Sequence, residues 1–154
     1  MKIRSIQEKD IVQVRELLSK STPYVLPHHH YIYWMMAHYY SESNIVAIEK
    51  GNVVGYLCAV PEEKKNCYFI WQIVVDSQMR NKGIAEKMMD VLIKLAEENE
   101  IPAVELTIDK NNKTSQNFYN KYAEQLGSSL EEIGEYRYEG NYDIVYRLKI
   151  KKDI

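Results

Sequence analysis

The stretch from Phe69 to Ala96, FIWQIVVDSQMRNKGIAEKMMDVLIKLA, constrains this chain more than any other. Phe69 to Asp76 is a short apolar run rich in β-branched and aromatic residues, which predicts a buried strand. From Gly83 to Ala96, residues Ile84, Met88, Val91, Leu92 and Leu95 fall on one face of a predicted helix. Between the two lies a short polar loop, Arg80-Asn81-Lys82-Gly83-Ile84-Ala85. A strand that passes through a glycine-containing loop into a helix makes a cradle for an anion. The first N–H groups of the helix are unpaired, and its dipole favours negative charge there. Gly83 lets the backbone approach a ligand, Ala85 is small for the same reason, and Arg80 and Lys82 add positive charge. The loop is expected to hold a diphosphate.

Several phosphate-binding patterns share that outline. The dinucleotide fingerprint needs three glycines, and the loop offers only Gly83. The nucleotide-hydrolase loop needs a Gly-Lys-Ser/Thr ending, which is absent. An ordinary strand-loop-helix unit with a polar turn is the plain alternative. The order Arg-x-x-Gly-x-Ala after a Val-Val-Asp strand, at Arg80, Gly83 and Ala85, resembles the coenzyme A loop of the GNAT superfamily of N-acetyltransferases. A second block, Asn112-Lys113-Thr114-Ser115-Gln116-Asn117-Phe118-Tyr119, matches the same superfamily at Asn112, Ser115 and Tyr119.

Periodicity and turn signals place the remaining elements without help from that resemblance. Met1 to Ile6 reads as a strand, and Asp10 as the cap of a helix carrying Ile11, Val14, Leu17 and Leu18. Pro23 and Pro27 break the chain. An aromatic, Met-rich helix, containing YIYWMMAHYY, is expected from about His29 to Ser41. Strands follow at Asn44–Glu49 and Val53–Val60, joined by Lys50-Gly51-Asn52, and then at Cys67–Asp76. Ala103–Asp109 is the next strand, expected parallel to its predecessor because a helix joins them. Thr114–Gln125 reads as a helix with Phe118 and Tyr122 facing inward and Gly127 at its end. Two last strands are expected at Ile133–Tyr138 and Asp143–Ile150. The fold class is α/β, a central mixed sheet with helices on both faces, as in the GNAT fold, in a single N-acetyltransferase domain over residues 1–154.

Composition bounds the partners. The chain has 154 residues, 45% hydrophobic and 27% charged, with a net charge of −2. That balance gives no support for nucleic-acid binding. No apolar run approaches the ~20 residues needed to span a bilayer, and the N-terminus is too charged for a signal peptide. A cytoplasmic protein is expected, with no membrane and no nucleic-acid partner. Cys58 and Cys67 cannot form a zinc site alone, and two free thiols are expected on neighbouring strands.

The resemblance also implies a reaction: attack of a neutral amine on the thioester of acetyl-CoA. In the superfamily the pantetheine arm pairs with the strand before the loop like an extra strand. Ile73 and Val75 are the matching positions, and an N–H of Val74 or Val75 faces the thioester oxygen. Arg80, Asn81, Lys82, Gly83, Ile84, Ala85, Asn112 and Ser115 complete the expected coenzyme A contacts. Tyr119 is the expected acid for the leaving thiolate, with a structural core Tyr as the alternative. The base is open: Glu105 on the Ala103–Asp109 strand, or His28 or His30. No metal is expected, because no acidic or Cys cluster accompanies the three adjacent histidines.

A closer resemblance, in FIWQIVVD, LTIDKNNKTSQNFY and AEQLGSSLEE, is to the L-2,4-diaminobutyrate acetyltransferases of ectoine biosynthesis. That family carries a Leu-Asp-x-Asn-Ser-type segment before the aromatic helix. Here the segment is Val25-Leu26-Pro27-His28-His29-His30, so Leu26 replaces the Asp that grips the substrate ammonium and His28 replaces the Asn. A weakened grip on diaminobutyrate is therefore expected. His28, Tyr31, Tyr33 and Trp71 are the expected wall of the acceptor pocket, since aromatic faces hold ammonium groups. Trp71 and Gln72 point to opposite faces of their strand, so only one can face the acceptor. The acceptor is expected to be a small-molecule amine. Acetylation of a protein N-terminus or lysine, a non-catalytic acyl-CoA-binding module, and pairing of edge strands in a homodimer stay open.

Overall fold

The computed structural model describes residues 1–21 and 23–150. Its strands form one seven-stranded sheet in the order β1-β2-β3-β4-β5-β7-β6. These are β1 (Lys2–Ser5), β2 (Asn44–Glu49), β3 (Asn52–Glu62), β4 (Cys67–Val75), β5 (Ala103–Asp109), β6 (Leu130–Tyr138) and β7 (Asn141–Lys149). The helices are α1 (Ile11–Ser19), α2 (His30–Tyr39), α3 (Ile84–Glu98) and α4 (Lys113–Gln125). The mixed sheet expected from the sequence is the one found. Among the described residues no helix is long and apolar enough to cross a membrane.

The chain divides into two compact units. The first takes in Met1–Val60 and Trp71–Leu95. In it β1, β2 and β3 form an antiparallel meander. One face is covered by α1 and α2, whose Ile11, Val14, Leu17, Leu18, Tyr33 and Met36 pack with Val46, Tyr56 and Val74 of the strands. The other face carries α3, and Gly55 sets how closely. A Cβ on Gly55 would come within 3.1 Å of Met88 Cε and 3.2 Å of Ile84 Cγ2. The missing side chain lets the first turns of α3 lie directly on β3.

Two expectations in this unit are corrected. Val91 is exposed, whereas Met89 and Ile93 are buried. Consecutive helical residues are about 100° apart. The buried arc centres on Leu92 and Ala96, which leaves Val91 at its rim. Asp10 does not cap α1 with its side chain. It closes a short 3-10 turn, Glu8–Asp10, by accepting the Gln7 N–H at 2.8 Å, and it forms a two-pronged ion pair with Arg4 at 2.7 and 2.9 Å.

The second unit takes in Pro61–Ile70 and the chain from Ala96 onward. The parallel ladder runs over Tyr68–Ile70 against Val104–Leu106 and goes no further. Strand β5 then pairs with β7 along its whole length, from Ala103↔Lys149 to Asp109↔Asp143. Helix α4 ends as its glycine predicts. Gly127 has φ +68°, and the N–H groups of Gly127 and Ser128 return to the carbonyls of Glu124 and Ala123. Strand β6 is exposed for nearly its whole length. Cys58 and Cys67 are free and buried, and burial pushes the Cys58 thiol up to about 12.

Candidate active site

The loop after β4 is shaped by two local devices. Asp76 accepts the Gln78 N–H at 2.9 Å, and its own N–H is anchored to the Val54 carbonyl at 2.8 Å. Beyond that turn the backbone enters the left-handed region twice, at Asn81 (φ +63°) and Gly83 (φ +74°). The Gly83 carbonyl accepts the Lys87 N–H, which starts α3. The N–H groups of Ile84, Ala85 and Glu86 are therefore the ones that a helix leaves without internal partners. Arg80, Asn81 and Lys82 are exposed, and the Ile84 side chain is buried, leaving its backbone to serve a ligand. The nearest atom to a Cβ built on Gly83 is a Glu86 carboxylate oxygen at 3.8 Å, so the backbone at this position is not crowded. A cavity of about 490 Å³ lies behind this loop between α1 and the β2–β3 turn; Lys82, Met79 and Gln78 reach its wall.

The segment before the loop has the property that pantetheine pairing requires. Val74 packs into the core, and Ile73 and Val75 are half-buried. Because the β4–β5 ladder stops at Ile70, the β5-facing backbone groups of Trp71–Val75 have no ladder partner among the described residues.

On the α2 side, the chain at Leu26–His28 has no regular structure of its own. It is held by side chains. Gln72 Nε2 donates to the Leu26 carbonyl at 2.7 Å, and the His28 N–H donates to the Tyr33 hydroxyl at 3.0 Å. That hydroxyl donates onward to Gln72 Oε1 at 2.9 Å, and Arg15 Nε donates to the His28 carbonyl at 3.0 Å. The His28 ring lies on Trp71, which is 40% exposed. Burial lowers the His28 pKa from its ordinary value, so the ring is neutral at neutral pH. His29 caps α2 by accepting the Tyr31 N–H at 3.1 Å, and His30 is exposed in the first turn. Tyr31 is exposed and lies against Trp34; these two, with His29 and His30, line a shallow depression. Tyr33 is placed differently from the expected pocket wall. Its ring is fully buried, edge-on to Tyr56, and only its hydroxyl reaches the loop. Of Trp71 and Gln72, Trp71 is the one on the surface and Gln72 is 7% exposed.

In the second unit, Glu105 is buried and accepts Arg147 Nη1 at 2.7 Å, with Lys65 Nζ at 4.0 Å. It lies across the ladder from Arg147. Tyr119 is buried on α4, and burial alone pushes its phenol far above the ordinary range. No hydrogen bond to the hydroxyl contributes, so the O–H has no protein partner among the described residues. Asn112 caps α4, its side-chain oxygen accepting the Ser115 N–H at 3.2 Å. Asp143, not anticipated from the sequence, lies opposite Asp109. Burial and the Asp109 charge raise its pKa, against a hydrogen bond from Thr107. Among the described residues no group of three His, Cys, Asp or Glu side chains could share a metal ion.

The family model described as acetyltransferase (GNAT) family matches residues 11–123. The L-2,4-diaminobutyric acid acetyltransferase of Halalkalibacterium halodurans is 37% identical over 117 residues, which are 75% of this chain and 61% of that protein. Its counterpart from Marinococcus halophilus is 33% identical over 96 residues, 62% of this chain and 56% of that protein. The chain thus matches 61% and 56% of the length of these two relatives. Among solved structures, diaminobutyrate acetyltransferase from Paenibacillus lautus, in complex with L-2,4-diaminobutyric acid and coenzyme A, has a TM-score of 0.84 at 21% identity, covering 99% of this chain and 97% of that one. Ard1 from Thermoplasma volcanium has a TM-score of 0.83 at 20% identity, with 98% of each chain covered. At these identities the likeness to both is one of fold.

Proposed function

The chain belongs to the acetyltransferase (GNAT) family, and from that premise we propose that it moves the acetyl group of acetyl-CoA onto the primary amine of a small amino acid or related molecule. The observation that carries this reading is the strand edge at Trp71–Val75, unpaired toward β5 and leading straight into the Gly83 loop. An extended amide-bearing arm can add to such an edge, and a diphosphate suits the helix start beyond it.

When bound, acetyl-CoA supplies an acyl carbon activated as a thioester. The chain's own groups are assigned unit by unit. In the first unit, the backbone of Ile73–Val75 aligns the arm, and an N–H of Val74 or Val75 polarises the acetyl carbonyl. Arg80, Asn81, Lys82, Gly83, Ile84 and Ala85 hold the phosphates through backbone N–H groups and charge. In the second unit, Tyr119 donates its proton to the leaving sulfur. Its high pKa keeps the phenol protonated until a thiolate develops. Asn112 and Ser115 shape the start of α4, which carries Tyr119.

The amine must lose a proton before it can attack. Of the candidates for that task, Glu105 is already paired with Arg147 and has Lys65 at 4.0 Å. Asp143, whose carboxyl is raised by burial and by the Asp109 charge, is a further candidate. His28 and Trp71, which are in ring contact, and Tyr31, in the depression it shares with Trp34, are assigned to the acceptor. A neutral imidazole there suits a carboxylate, hydroxyl or uncharged group of the substrate. A homodimer is also proposed, through the exposed β6, which carries Ile133, Tyr136 and Tyr138 on its surface; light scattering across a dilution series tests it.

The test of the function is calorimetry with coenzyme A followed by a turnover panel of diaminobutyrate, other amino acids, monoamines and peptides. Coenzyme A binding with turnover of small amines supports the reading. Turnover of peptides alone would move the function to protein acetylation, and binding without any turnover would make the chain an acyl-CoA sensor.

A further inference from the structure

Gln72 is the one polar side chain in the apolar run FIWQIVV, and it is buried. Core packing at that position would be served as well by Leu or Met, which carry no polar atoms to satisfy. Its amide is used at both ends: Nε2 donates to the Leu26 carbonyl, and Oε1 accepts from the Tyr33 hydroxyl. The direction of this chain is fixed by its ends. The His28 N–H can only donate, so the Tyr33 hydroxyl accepts from it and gives its own proton to Gln72. The amide nitrogen of Gln72 must then face the Leu26 carbonyl. Arg15 takes the remaining His28 carbonyl from α1. Three backbone groups within Leu26–His28 are thus held by side chains from α1, α2 and β4, in a segment with no ladder or helix to hold them.

We infer that Gln72 is a positioning residue for the acceptor amine: acting directly and through Tyr33, it fixes the Leu26–His28 backbone and so keeps His28 seated on Trp71. Gln72 lies between Trp71 and Ile73, so the strand assigned to the thioester also sets the acceptor-side segment. The inference rests on the acetyl-transfer reading above for its catalytic meaning, but the attachment of the segment does not depend on it. Gln72 touches neither substrate in this account; its effect is transmitted by His28.

The test compares Gln72→Leu, the milder Tyr33→Phe and the double variant with the full-length wild type. Hydrogen exchange over residues 25–29 reads the attachment, and steady-state kinetics read its use. Exchange should speed up in each variant. The KM for the amine should rise about tenfold, the size that one lost buried hydrogen bond gives, while the KM for acetyl-CoA stays unchanged. The double variant should be no worse than the poorer single one, because both break the same chain. If Gln72→Leu does not fold, Tyr33→Phe alone decides. Unchanged exchange at 25–29 overturns the inference, as does a rise in both KM values together. A wild type that turns over no amine removes the catalytic reading and this inference's meaning with it, while exchange still decides whether the attachment exists.

Discussion

The imidazole of His28 lies against the indole of Trp71, with ring centroids 4.4 Å apart and planes inclined by 33°. The contact joins the irregular Leu26–His28 segment to strand β4. It also makes His28 a titrating group in a partly dry setting.

Acid should therefore cost this protein more than its carboxylates alone predict. Burial lowers the pKa of folded His28 below the ordinary 6.5. The neutral ring stabilises the fold fully above the unfolded value, and that contribution is lost as pH falls toward the folded one. Thermal unfolding at about pH 7.5 and about pH 5.5 should show a larger drop for wild type than for His28→Asn. Equal drops would mean that the ring gains nothing from its seat on Trp71.

Diaminobutyrate is expected to be a poor acceptor, because no acid stands at Leu26 or His28. A charge-assisted contact to an ammonium is worth about 1.5–3 kcal/mol, so His28→Asp should raise kcat/KM for diaminobutyrate roughly ten- to a hundredfold. No change would place the segment outside the acceptor pocket. Should the wild type prefer diaminobutyrate over all other amines, Asp109 and Asp143 become the acids to replace next.

Gly83 separates strain from charge. An L-residue at φ +74° costs about 1–2 kcal/mol of conformational energy. Gly83→Ala should lower stability by that order and weaken coenzyme A modestly, since its Cβ meets nothing closer than 3.8 Å. Gly83→Glu adds a carboxylate beside the phosphates and should weaken binding by a further factor of ten or more, on the order of one like-charge contact at partial exposure. Calorimetry on both variants checks the difference.

Tyr119→Phe removes a hydroxyl that no group among the described residues satisfies. Stability should change by less than about 0.5 kcal/mol, because no hydrogen bond within the chain is lost. If the hydroxyl is the acid, kcat should fall on the order of a hundredfold with both KM values held. A fall in stability without a fall in kcat would return Tyr119 to the role of a core residue.

Arg147→Leu strands a buried carboxylate. Breaking such a pair costs about 3–5 kcal/mol, and urea unfolding should show a loss of that order. Glu105→Gln should cost less, since its amide oxygen still accepts from Arg147. Full activity in Glu105→Gln would confine Glu105 to structure, and a loss of kcat that vanishes at high pH would restore it as the base.

How much was legible depended on whether the deciding partner was near in sequence. Strands Asn44–Glu49 and Ala103–Asp109, the parallel pairing of Ala103–Asp109 with the strand before it, and the Gly127 helix end all follow from local pattern, and all stand where expected. The turn, loop and helix start from Asp76 to Ile84 were legible for the same reason. The buried face of helix α2 was not, because the helix is aromatic nearly all round. No periodicity told Tyr33, which is buried, from Tyr31, which is not. The part played by Gln72 depends on partners 39 and 46 residues away. Glu105 shows the same limit: its place on the strand was readable, but Arg147, which occupies it, lies 42 residues later.

The aromatic contacts of α2 and β4 also equip the protein with its own optical gauge. It has two tryptophans, and each carries a histidine ring at 4.4 Å, His28 on Trp71 and His38 on Trp34. A protonated imidazole quenches indole emission strongly, whereas a neutral one does so weakly. Emission should therefore dim on acidification as His28 is protonated beside Trp71, and Trp34→Phe should leave that step to be read by itself. An amine or carboxylate arriving beside that ring would shift the midpoint of the remaining step. Acceptors can then be ranked by fluorescence titration alone, before any acetyl donor is added.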